Sequence, residues 1–309
     1  MNTPAPLFDR VALIGIGLIG SSLAHAIRKH GLAGHIAIST RRPETLKTAE
    51  DLGLGDSYSL DPAAAAQDAD LVVVCTPMGA YEAVAKAIAP ALKDGAVVSD
   101  VGSVKSAAIN DLKPHLPPHV HLVPGHPIAG TEHSGPEAGY AELFPGHWTI
   151  LTPEAETDAD AVARVEALWS GCGAKVEVMT PEHHDQVLAI TSHLPHLIAF
   201  TIVDTASTLE DHTQKEVIKF SASGFRDFTR IAASDPVMWR DVFLTNKDAV
   251  LDILDRFSDD LARMKQAIEQ GDGDTLEETF TRTRAIRRGV VELKQHIPDI
   301  KPNGEDDAQ

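Results

Sequence analysis

The chain has few basic residues and almost no cysteine. It has 27 Lys and Arg residues against 45 Asp and Glu residues, which gives a formal net charge of −18. Nucleic acids and anionic membranes bind basic patches, so this charge balance argues against both as partners. The two cysteines, Cys75 and Cys172, form neither a disulfide framework nor a metal-ligand spacing, and we expect no metal site.

The N-terminal residues also lack the pattern of a targeting signal. No basic region precedes an apolar run of signal length there. The first apolar run, residues 11–16, is much shorter than the roughly 20 residues that cross a bilayer. We therefore expect a cytoplasmic protein. A chain of 309 residues is long for one hydrophobic core, which favours about two domains.

The N-terminal part of the chain alternates strand and helix patterns. Strands are predicted at residues 11–15, 35–40, 71–75 and 96–100, with further candidates at residues 121–123, 148–152 and 175–179. Helical apolar spacing occupies the segments between them. This alternation predicts βαβ units and a parallel sheet, so residues 1–180 are expected to form a Rossmann-type α/β domain.

The strand pattern stops near residue 180, and residues 181–297 are predicted to be all-helical. Residues 181–209 form one helical stretch with a kink expected at Pro195, which removes a hydrogen bond. Farther on, apolar residues recur at heptad spacing, as expected of a helix that packs against others; they are Val250, Leu254, Phe257, Leu261, Met264 and Ile268. These apolar faces favour a homodimer. Residues 298–309 are predicted to be a disordered acidic tail.

Gly15-x-Gly17-x-x-Gly20 follows the first predicted strand and opens a helix. The first glycine permits the tight turn, the second lets the backbone approach a pyrophosphate, and the third allows close helix–strand packing. The helix N-terminus, which includes Leu18 and Ile19, then receives the negative charge. Because the motif opens a repeating βα pattern, it predicts a dinucleotide site rather than simple turn glycines.

The identity of the dinucleotide depends on the residues after the second strand. NAD sites usually have an acidic residue there, but this chain has Ser39, Thr40, Arg41 and Arg42. Hydroxyl and guanidinium groups suit a 2′-phosphate, which slightly favours NADP over NAD. The alternative is that both arginines are solvated loop charges. The predicted cofactor-binding set also includes Thr76 and Pro77, where the third long strand ends.

Ser103 follows the carboxyl end of another predicted parallel strand, at the sheet edge where open α/β sheets bind ligands. It is a candidate to hydrogen-bond the nicotinamide or a substrate hydroxyl. The alternative role is an N-cap of the next helix. Both roles are compatible.

His126 lies in a Gly- and Pro-rich segment, residues 125–135, in which we expect no regular structure. An imidazole accepts a proton near neutral pH, which makes His126 the candidate general base of a redox reaction. Any one of 15 histidines is more often structural, but its place in a loop downstream of a dinucleotide motif favours the catalytic role. Thr131 and Glu132 in the same loop are candidates to orient the ligand or the imidazole.

His193 and His196 are three residues apart and share a helix face. Substrate contacts or buried hydrogen bonds are favoured over zinc, because no metal-binding spacing accompanies them. His183 and His184 are expected at an exposed helix start, without a role. Arg230 is predicted to be partly buried and to bind an anion, the alternative being a salt-bridged surface.

Together these motifs resemble the prephenate/arogenate dehydrogenase family of tyrosine biosynthesis. The resemblance spans nearly the whole chain, in the family's order, through the segments 15–21, 102–105, 126–132, 192–196, 228–230 and 235–241. It implies a Rossmann domain joined to a helical dimerisation domain. It also implies NAD(P)-dependent oxidative decarboxylation, of prephenate to 4-hydroxyphenylpyruvate or of arogenate to tyrosine.

The resemblance implies a role for each candidate residue. His126 would take the hydroxyl proton as hydride leaves the ring, and Ser103 would hold hydroxyl and nicotinamide in register. Arg230 would bind the ring carboxylate. The remaining residues would shape the substrate site, with Trp239 contributed by the helical domain or across the dimer; they are Thr131, Glu132, His193, His196 and Trp239.

Two questions stay open at this stage. Ser223 stands where many family members have glycine, so the substrate side-chain preference or feedback by tyrosine can differ. No residue decides between the keto and amino side chains of prephenate and arogenate. The alternative functions are another Rossmann hydride-transfer enzyme of the β-hydroxyacid dehydrogenase kind, or a non-catalytic nucleotide-binding sensor. The first is disfavoured because Asn246 and Lys247 stand in the wrong order for that family.

Overall fold

The computed structural model describes residues 5–131, 133–208 and 223–292, and a six-stranded parallel sheet organises its N-terminal part. The strands are β1 Phe8–Ile14, β2 Ala33–Ser39, β3 Ser57–Ser59, β4 Leu71–Val74, β5 Val97–Asp100 and β6 His121–Leu122. Their order is β3-β2-β1-β4-β5-β6, with every neighbouring pair parallel. This is the Rossmann order, and it reverses between β1 and β4, where such sheets bind dinucleotides.

Helices cover both faces of this sheet. They are α1 Leu18–His30, α2 Pro43–Asp51, α3 Pro62–Ala66, α4 Tyr81–Ile88 and α5 Lys105–Leu112. Successive side chains of β1 enter different cores, since Val11 and Leu13 pack in one apolar cluster and Ala12 and Ile14 in the other. A strand that is buried on both faces reads as a continuous apolar run, as the sequence of β1 does.

A second, three-stranded sheet follows, and its first strand corrects a prediction. It consists of β7 Gly125–Ile128, β8 Trp148–Leu151 and β9 Lys175–Val178, with α6 Ala159–Gly171 between the last two. We expected no regular structure in residues 125–135, but β7 pairs antiparallel with β8. Pro127 fits there because β7 is an edge strand, where a missing N–H need not break the ladder.

The described residues after residue 180 are helical, as predicted. The elements are α7 Pro181–Leu188, a π-helical turn Ala189–His193, α8 Leu194–Ser207, α9 Ser223–Thr229, a 3₁₀ turn Arg230–Ala233 and α10 Pro236–Thr245. Pro195 lies in the first turn of α8, where its missing N–H is tolerated. The irregularity that we expected at Pro195 is therefore the π-helical turn directly before it.

The stretch Pro181–Ser207 is also the one helical segment in the described part of the chain that is long and apolar enough, by length and composition, to cross a membrane. The mean hydropathy of its most apolar 18-residue window is 1.4, and 28% of that window is buried. It contains several of the polar residues of the site below.

Two long helices follow, α11 Lys247–Gln270 and α12 Gly273–Glu292. The chain divides into two compact units, Met1–Asn246 and Lys247–Gln309, while the domain boundary predicted near residue 180 stays a prediction. On α11 the heptad residues Leu261 and Ile268 are 58% and 67% exposed. The predicted acidic tail, residues 298–309, lies outside the described residues.

Candidate active site

The glycine turn between β1 and α1 has the geometry that a dinucleotide needs. Gly15 has a φ of +99°, and a Cβ there would lie 2.7 Å from the carbonyl carbon of Cys75. A Cβ on Gly20 would lie 2.5 Å from the carbonyl oxygen of Gly15. A Cβ on Gly17, in contrast, would meet no atom within 4 Å. Gly15 and Gly20 therefore allow the tight packing, and Gly17 faces open space that a phosphate group can enter.

The N-terminus of α1 suits an anion for electrostatic reasons. Gly17 is the N-cap, no side chain caps the helix, and the first turn contains no acidic residue. The unpaired N–H groups and the helix dipole then favour a negative charge at this end. Leu18 and Ile19 in this turn are partly buried. Nearby, the hydroxyl oxygen of Thr76 is buried without a hydrogen-bond partner among the described residues, and Pro77 beside it is exposed.

The residues after β2 differ in their exposure, and the predicted choice between NADP and NAD stays a prediction. Ser39 is buried, and its carbonyl oxygen accepts a hydrogen bond from the Gly15 N–H at 2.7 Å. Thr40 is partly exposed, while Arg41 and Arg42 are exposed. Within the described ranges, neither arginine forms a salt bridge, so both guanidinium groups are accessible to a ligand phosphate.

A buried ion pair holds the end of β5 against the start of β7. The Lys105 Nζ donates to Asp100 Oδ2 at 2.5 Å and to the Gly125 carbonyl oxygen at 2.6 Å, and both charged side chains are fully buried. The Tyr81 hydroxyl donates to the same Asp100 oxygen at 2.9 Å. Burial lowers the pKa of Lys105, and the Asp100 carboxylate opposes that shift. The pair fixes the backbone on either side of the candidate catalytic residues, a role that the sequence did not reveal.

Ser103 lies between β5 and α5, partly exposed, but it does not cap the helix. The N-cap of α5 is Val104, and no side chain of the N-cap residue bonds to the helix. Instead Asp185, from α7, accepts hydrogen bonds from the N–H groups of Lys105 at 2.7 Å and Ser106 at 2.9 Å. The expected N-cap role is therefore wrong, because a carboxylate distant in sequence occupies that position and leaves the Ser103 side chain available to a ligand.

His126 lies on β7, and its imidazole belongs to a chain of hydrogen bonds. Its Nδ1 is 2.9 Å from Nε2 of His184, whose Nδ1 is 2.8 Å from Oδ1 of Asp185. The prediction that His184 is exposed is wrong, since its side chain is fully buried. On α7, His183 is exposed while His184 is buried beside His126, because consecutive helix residues point about 100° apart.

Burial controls the protonation of this chain. It lowers the pKa of His126 well below 6.5, and the neighbouring His184 and Lys105 lower it further. Burial also lowers the pKa of His184, although the hydrogen bond to Asp185 opposes the shift. Burial alone would raise the pKa of Asp185, but the hydrogen bonds from His184, Lys105 and Ser106 outweigh that effect and lower it. At neutral pH the chain is two neutral imidazoles and one carboxylate.

The second pair of histidines packs around Trp239. The rings of His196 and Trp239 stack with centroids 3.7 Å apart, and His193 packs against the tryptophan edge. The Asn246 Nδ2 is 3.1 Å from Nδ1 of His193 and donates to the Asp185 carbonyl oxygen at 2.9 Å. Burial lowers the pKa of His193 to about 4. Neutral His193 accepts from Asn246 at Nδ1 and so carries its proton on Nε2, which is buried with no partner among the described residues.

No three metal-binding side chains converge in the residues that the structure describes. The Asn246 amide holds His193, and the Trp239 indole stacks on His196.

Arg230 lies at the start of the 3₁₀ turn and is exposed in the single chain. The expectation of partial burial is wrong, because the nearby phenylalanines do not cover this surface and Phe228 is itself 41% exposed. Arg230 is nevertheless near the histidines. Burial lowers the pKa of His196, the Ser192 carbonyl opposes this, and the positive charge of Arg230 lowers the pKa further.

Among the described residues, two further predicted ones, Thr131 and Ser223, form no hydrogen bond with this cluster. Thr131 is partly exposed, and its hydroxyl accepts a bond from the His133 N–H at 3.3 Å. Ser223 is exposed at the first residue of α9. Glu132 lies outside the described residues.

Comparison with known proteins shows the family to which this chain belongs. Residues 23–178 match the nucleotide-binding domain of prephenate dehydrogenase, and residues 180–282 match its dimerisation domain. A cyclohexadienyl dehydrogenase from Zymomonas mobilis is 43% identical over 91% of this chain and 96% of its own. A prephenate dehydrogenase from Bacillus subtilis is 34% identical over 94% of this chain and 78% of its own.

A solved structure agrees with these matches. The prephenate dehydrogenase of Aquifex aeolicus, in complex with hydroxyphenyl propionate and NAD+, superimposes with a TM-score of 0.85. The two sequences are 36% identical, and the superposition covers 91% of this chain and 98% of the other. The chain therefore belongs to the prephenate dehydrogenase family.

Proposed function

We propose that this protein is an NAD(P)-dependent dehydrogenase that oxidises and decarboxylates prephenate, arogenate or both, in tyrosine biosynthesis. The observation that carries the proposal is a neutral, partly exposed His126 on β7, hydrogen-bonded to His184 beside the Ser103 segment of a Rossmann sheet. The relatives named above belong to this class of enzyme, which disfavours both a β-hydroxyacid dehydrogenase and a non-catalytic sensor.

The proposed reaction needs a proton acceptor at the substrate hydroxyl. When bound, a nicotinamide nucleotide supplies the hydride acceptor. His126 takes the hydroxyl proton while the ring C4–H bond breaks as hydride and the C4–O bond becomes a carbonyl. Loss of the ring carboxylate as CO2 then leaves its electron pair in the ring, and the ring becomes aromatic. The lowered pKa keeps His126 unprotonated, and thus able to accept the proton, at neutral pH.

The residues around Trp239 are proposed to bind the substrate. Arg230 supplies a guanidinium group for the ring carboxylate, near enough to His196 to affect its pKa. His193 and His196 form the wall of the site with Trp239. The Nε2–H of His193 is a buried donor that an oxygen of the substrate can satisfy. Thr131, Glu132 and Ser223 stay as proposed substrate contacts.

For the cofactor, we favour NADP slightly over NAD. The support is the pair of exposed guanidinium groups at Arg41 and Arg42, which follow β2 where an NAD site usually has a carboxylate. Thr40, which is partly exposed, adds a hydroxyl group at the same position, and Ser39 is buried directly before it. No metal is needed for this chemistry.

We also propose a cytoplasmic homodimer. The support is the match to a dimerisation domain, together with large apolar side chains that stay exposed in the single chain; on α8, α11 and α12 they include Ile202, Val203, Leu251, Leu261, Ile268, Phe280 and Ile286.

Initial rates test the proposal directly. Purified protein is assayed with prephenate or arogenate against NAD or NADP, and reduced nicotinamide is followed by absorbance. We expect turnover in at least one of the four combinations, with release of CO2 equal to the nucleotide reduced. Absence of turnover in all four would reject the proposed function. Faster turnover with NAD than with NADP would reject the cofactor preference alone.

A further inference from the structure

The carboxylate of Asp185 acts only as a hydrogen-bond acceptor. Its Oδ1 accepts from the Lys105 N–H at 2.7 Å and its Oδ2 from the Ser106 N–H at 2.9 Å. These hydrogen bonds lower the pKa of Asp185, so at neutral pH the carboxylate is ionised and has no hydrogen to donate. The third contact, from Oδ1 to Nδ1 of His184 at 2.8 Å, therefore has the hydrogen on the histidine.

This assignment determines the next hydrogen bond in the chain. His184 is fully buried and neutral, so it carries one proton, and that proton is on Nδ1. Its Nε2 is then an acceptor. The group at 2.9 Å from that Nε2 is Nδ1 of His126, which must be the donor. A neutral His126 with a proton on Nδ1 has its lone pair on Nε2.

We infer that Asp185 and His184 are positioning residues that hold the His126 proton on Nδ1, so that Nε2 is the nitrogen that receives the substrate proton. The direction of each hydrogen bond is set from Asp185 outward. Histidine in water carries its proton mainly on Nε2, and a partner on the other nitrogen decides the tautomer in a protein. Without the two positioning residues, His126 would mostly present an N–H to the substrate hydroxyl and could not accept its proton.

The same contacts hold the parts of the site in fixed positions relative to one another. Asp185 binds the first N–H groups of α5, directly after Ser103, and orients His126 through His184. Its backbone carbonyl accepts from Asn246, which also bonds to His193. Asp185 thus connects the segment after Ser103, the proposed base His126 and, through Asn246, the proposed substrate-binding residue His193. After proton transfer, the His126 cation donates from Nδ1 to His184 and no proton needs to move along the chain.

The inference rests on the proposed function only for the identity of the proton donor, which is the substrate hydroxyl. The tautomer of His126 is a property of the protein without ligands. NMR of the isotopically labelled imidazole nitrogens, at neutral pH and without ligands, reads it directly. We expect a protonated Nδ1 and an unprotonated Nε2 at His126, assigned by comparison with His126→Asn. The opposite pattern at His126 would overturn the proposal whatever the activity.

Two substitutions at His184 separate tautomer control from simple packing. In His184→Gln, the amide can donate to Asp185 and accept from His126, so the tautomer and most of kcat should be retained. In His184→Leu, the acceptor is lost, and kcat should fall on the order of 100-fold with little change in KM. His183→Gln, next to it and exposed, is the matched control and should behave as the native protein.

The results distinguish the possible failures. Equal losses of kcat in the Gln and Leu variants, with the native tautomer kept in both, would reduce His184 to a packing residue and overturn the inference. If the Leu variant does not fold, the native tautomer and the Gln variant still decide the question. A native protein with protonated Nδ1 at His126 but no turnover of prephenate or arogenate would keep the inference and reject the proposed function.

Discussion

The Nδ1 atom of His126 lies 2.9 Å from the Nε2 atom of His184, although the two residues are 58 positions apart in sequence. The contact joins an edge strand of the second sheet to the first helix after residue 180. The contact fixes the orientation of the imidazole that we propose as the catalytic base.

The pH dependence of kcat/KM should reflect this burial. The pKa of His126 is lowered well below 6.5, so the base stays unprotonated down to pH values below 6.5. We expect kcat/KM to be flat near neutral pH and to decrease only when the pH falls through that lowered pKa, because the free enzyme then becomes protonated. An acidic limb centred at or above pH 6.5 would contradict the assignment.

Substitution of Arg230 by alanine should mainly weaken substrate binding. Loss of a charge-assisted hydrogen bond costs about 1.5–3 kcal/mol, so KM for prephenate or arogenate should rise roughly 10- to 100-fold. Steady-state kinetics measures the change. Arg226→Ala, one helical turn earlier and also exposed, is the control and should leave KM unchanged. An unaltered KM in Arg230→Ala would mean that the ring carboxylate binds elsewhere.

Substitutions of Gly20 and Gly17 should affect different properties. The first should mainly lower stability, and the second should mainly weaken cofactor binding. Gly20→Ala places a methyl group against the Gly15 carbonyl oxygen and should lower the free energy of unfolding by about 1–3 kcal/mol. Gly17→Ala meets no protein atom within 4 Å, so its stability should be nearly native while its Kd for the dinucleotide rises. Denaturation and nucleotide titration check both. Native dinucleotide affinity in Gly17→Ala would show that the phosphates do not approach this residue.

The exposed heptad residues of α11 should be needed for the dimer. Leu261→Asp is expected to shift the protein from dimer to monomer in analytical ultracentrifugation, because a carboxylate is costly to bury in an apolar interface. Gln266→Asp, an exposed position on the same helix, provides the control. A native protein that is monomeric at assay concentrations, or a Leu261→Asp variant that stays dimeric, would refute the predicted interface.

The sequence was sufficient where function depends on local backbone geometry. Gly15 and Gly20 were predicted from their spacing after a strand, and the structure shows the close contacts that exclude larger residues there. The strands of the parallel sheet were also predictable. A short, uninterrupted apolar run such as β4 is typical of a strand that is buried on both faces of a sheet.

The sequence was insufficient where a residue acts through a distant partner. His184 looked like part of an exposed helix start, and nothing in its neighbours indicated that His126 would cover it. Asp185 binds Lys105 across 80 positions, and Asn246 binds Asp185 across 61. Such contacts depend on how α7 packs on α5, which no local pattern specifies. The edge strand β7 was missed because a proline and a glycine usually mark a loop.

The proton-acceptor role of His126 is tested most directly by the turnover number of His126→Asn with the substrate and cofactor that the native protein uses best. Asparagine keeps polarity and approximate size but cannot accept the proton. We predict that kcat falls about 100- to 10,000-fold while KM changes little, because the lost interaction belongs to the transition state. A His126→Asn variant that turns over at close to the native rate would contradict the account.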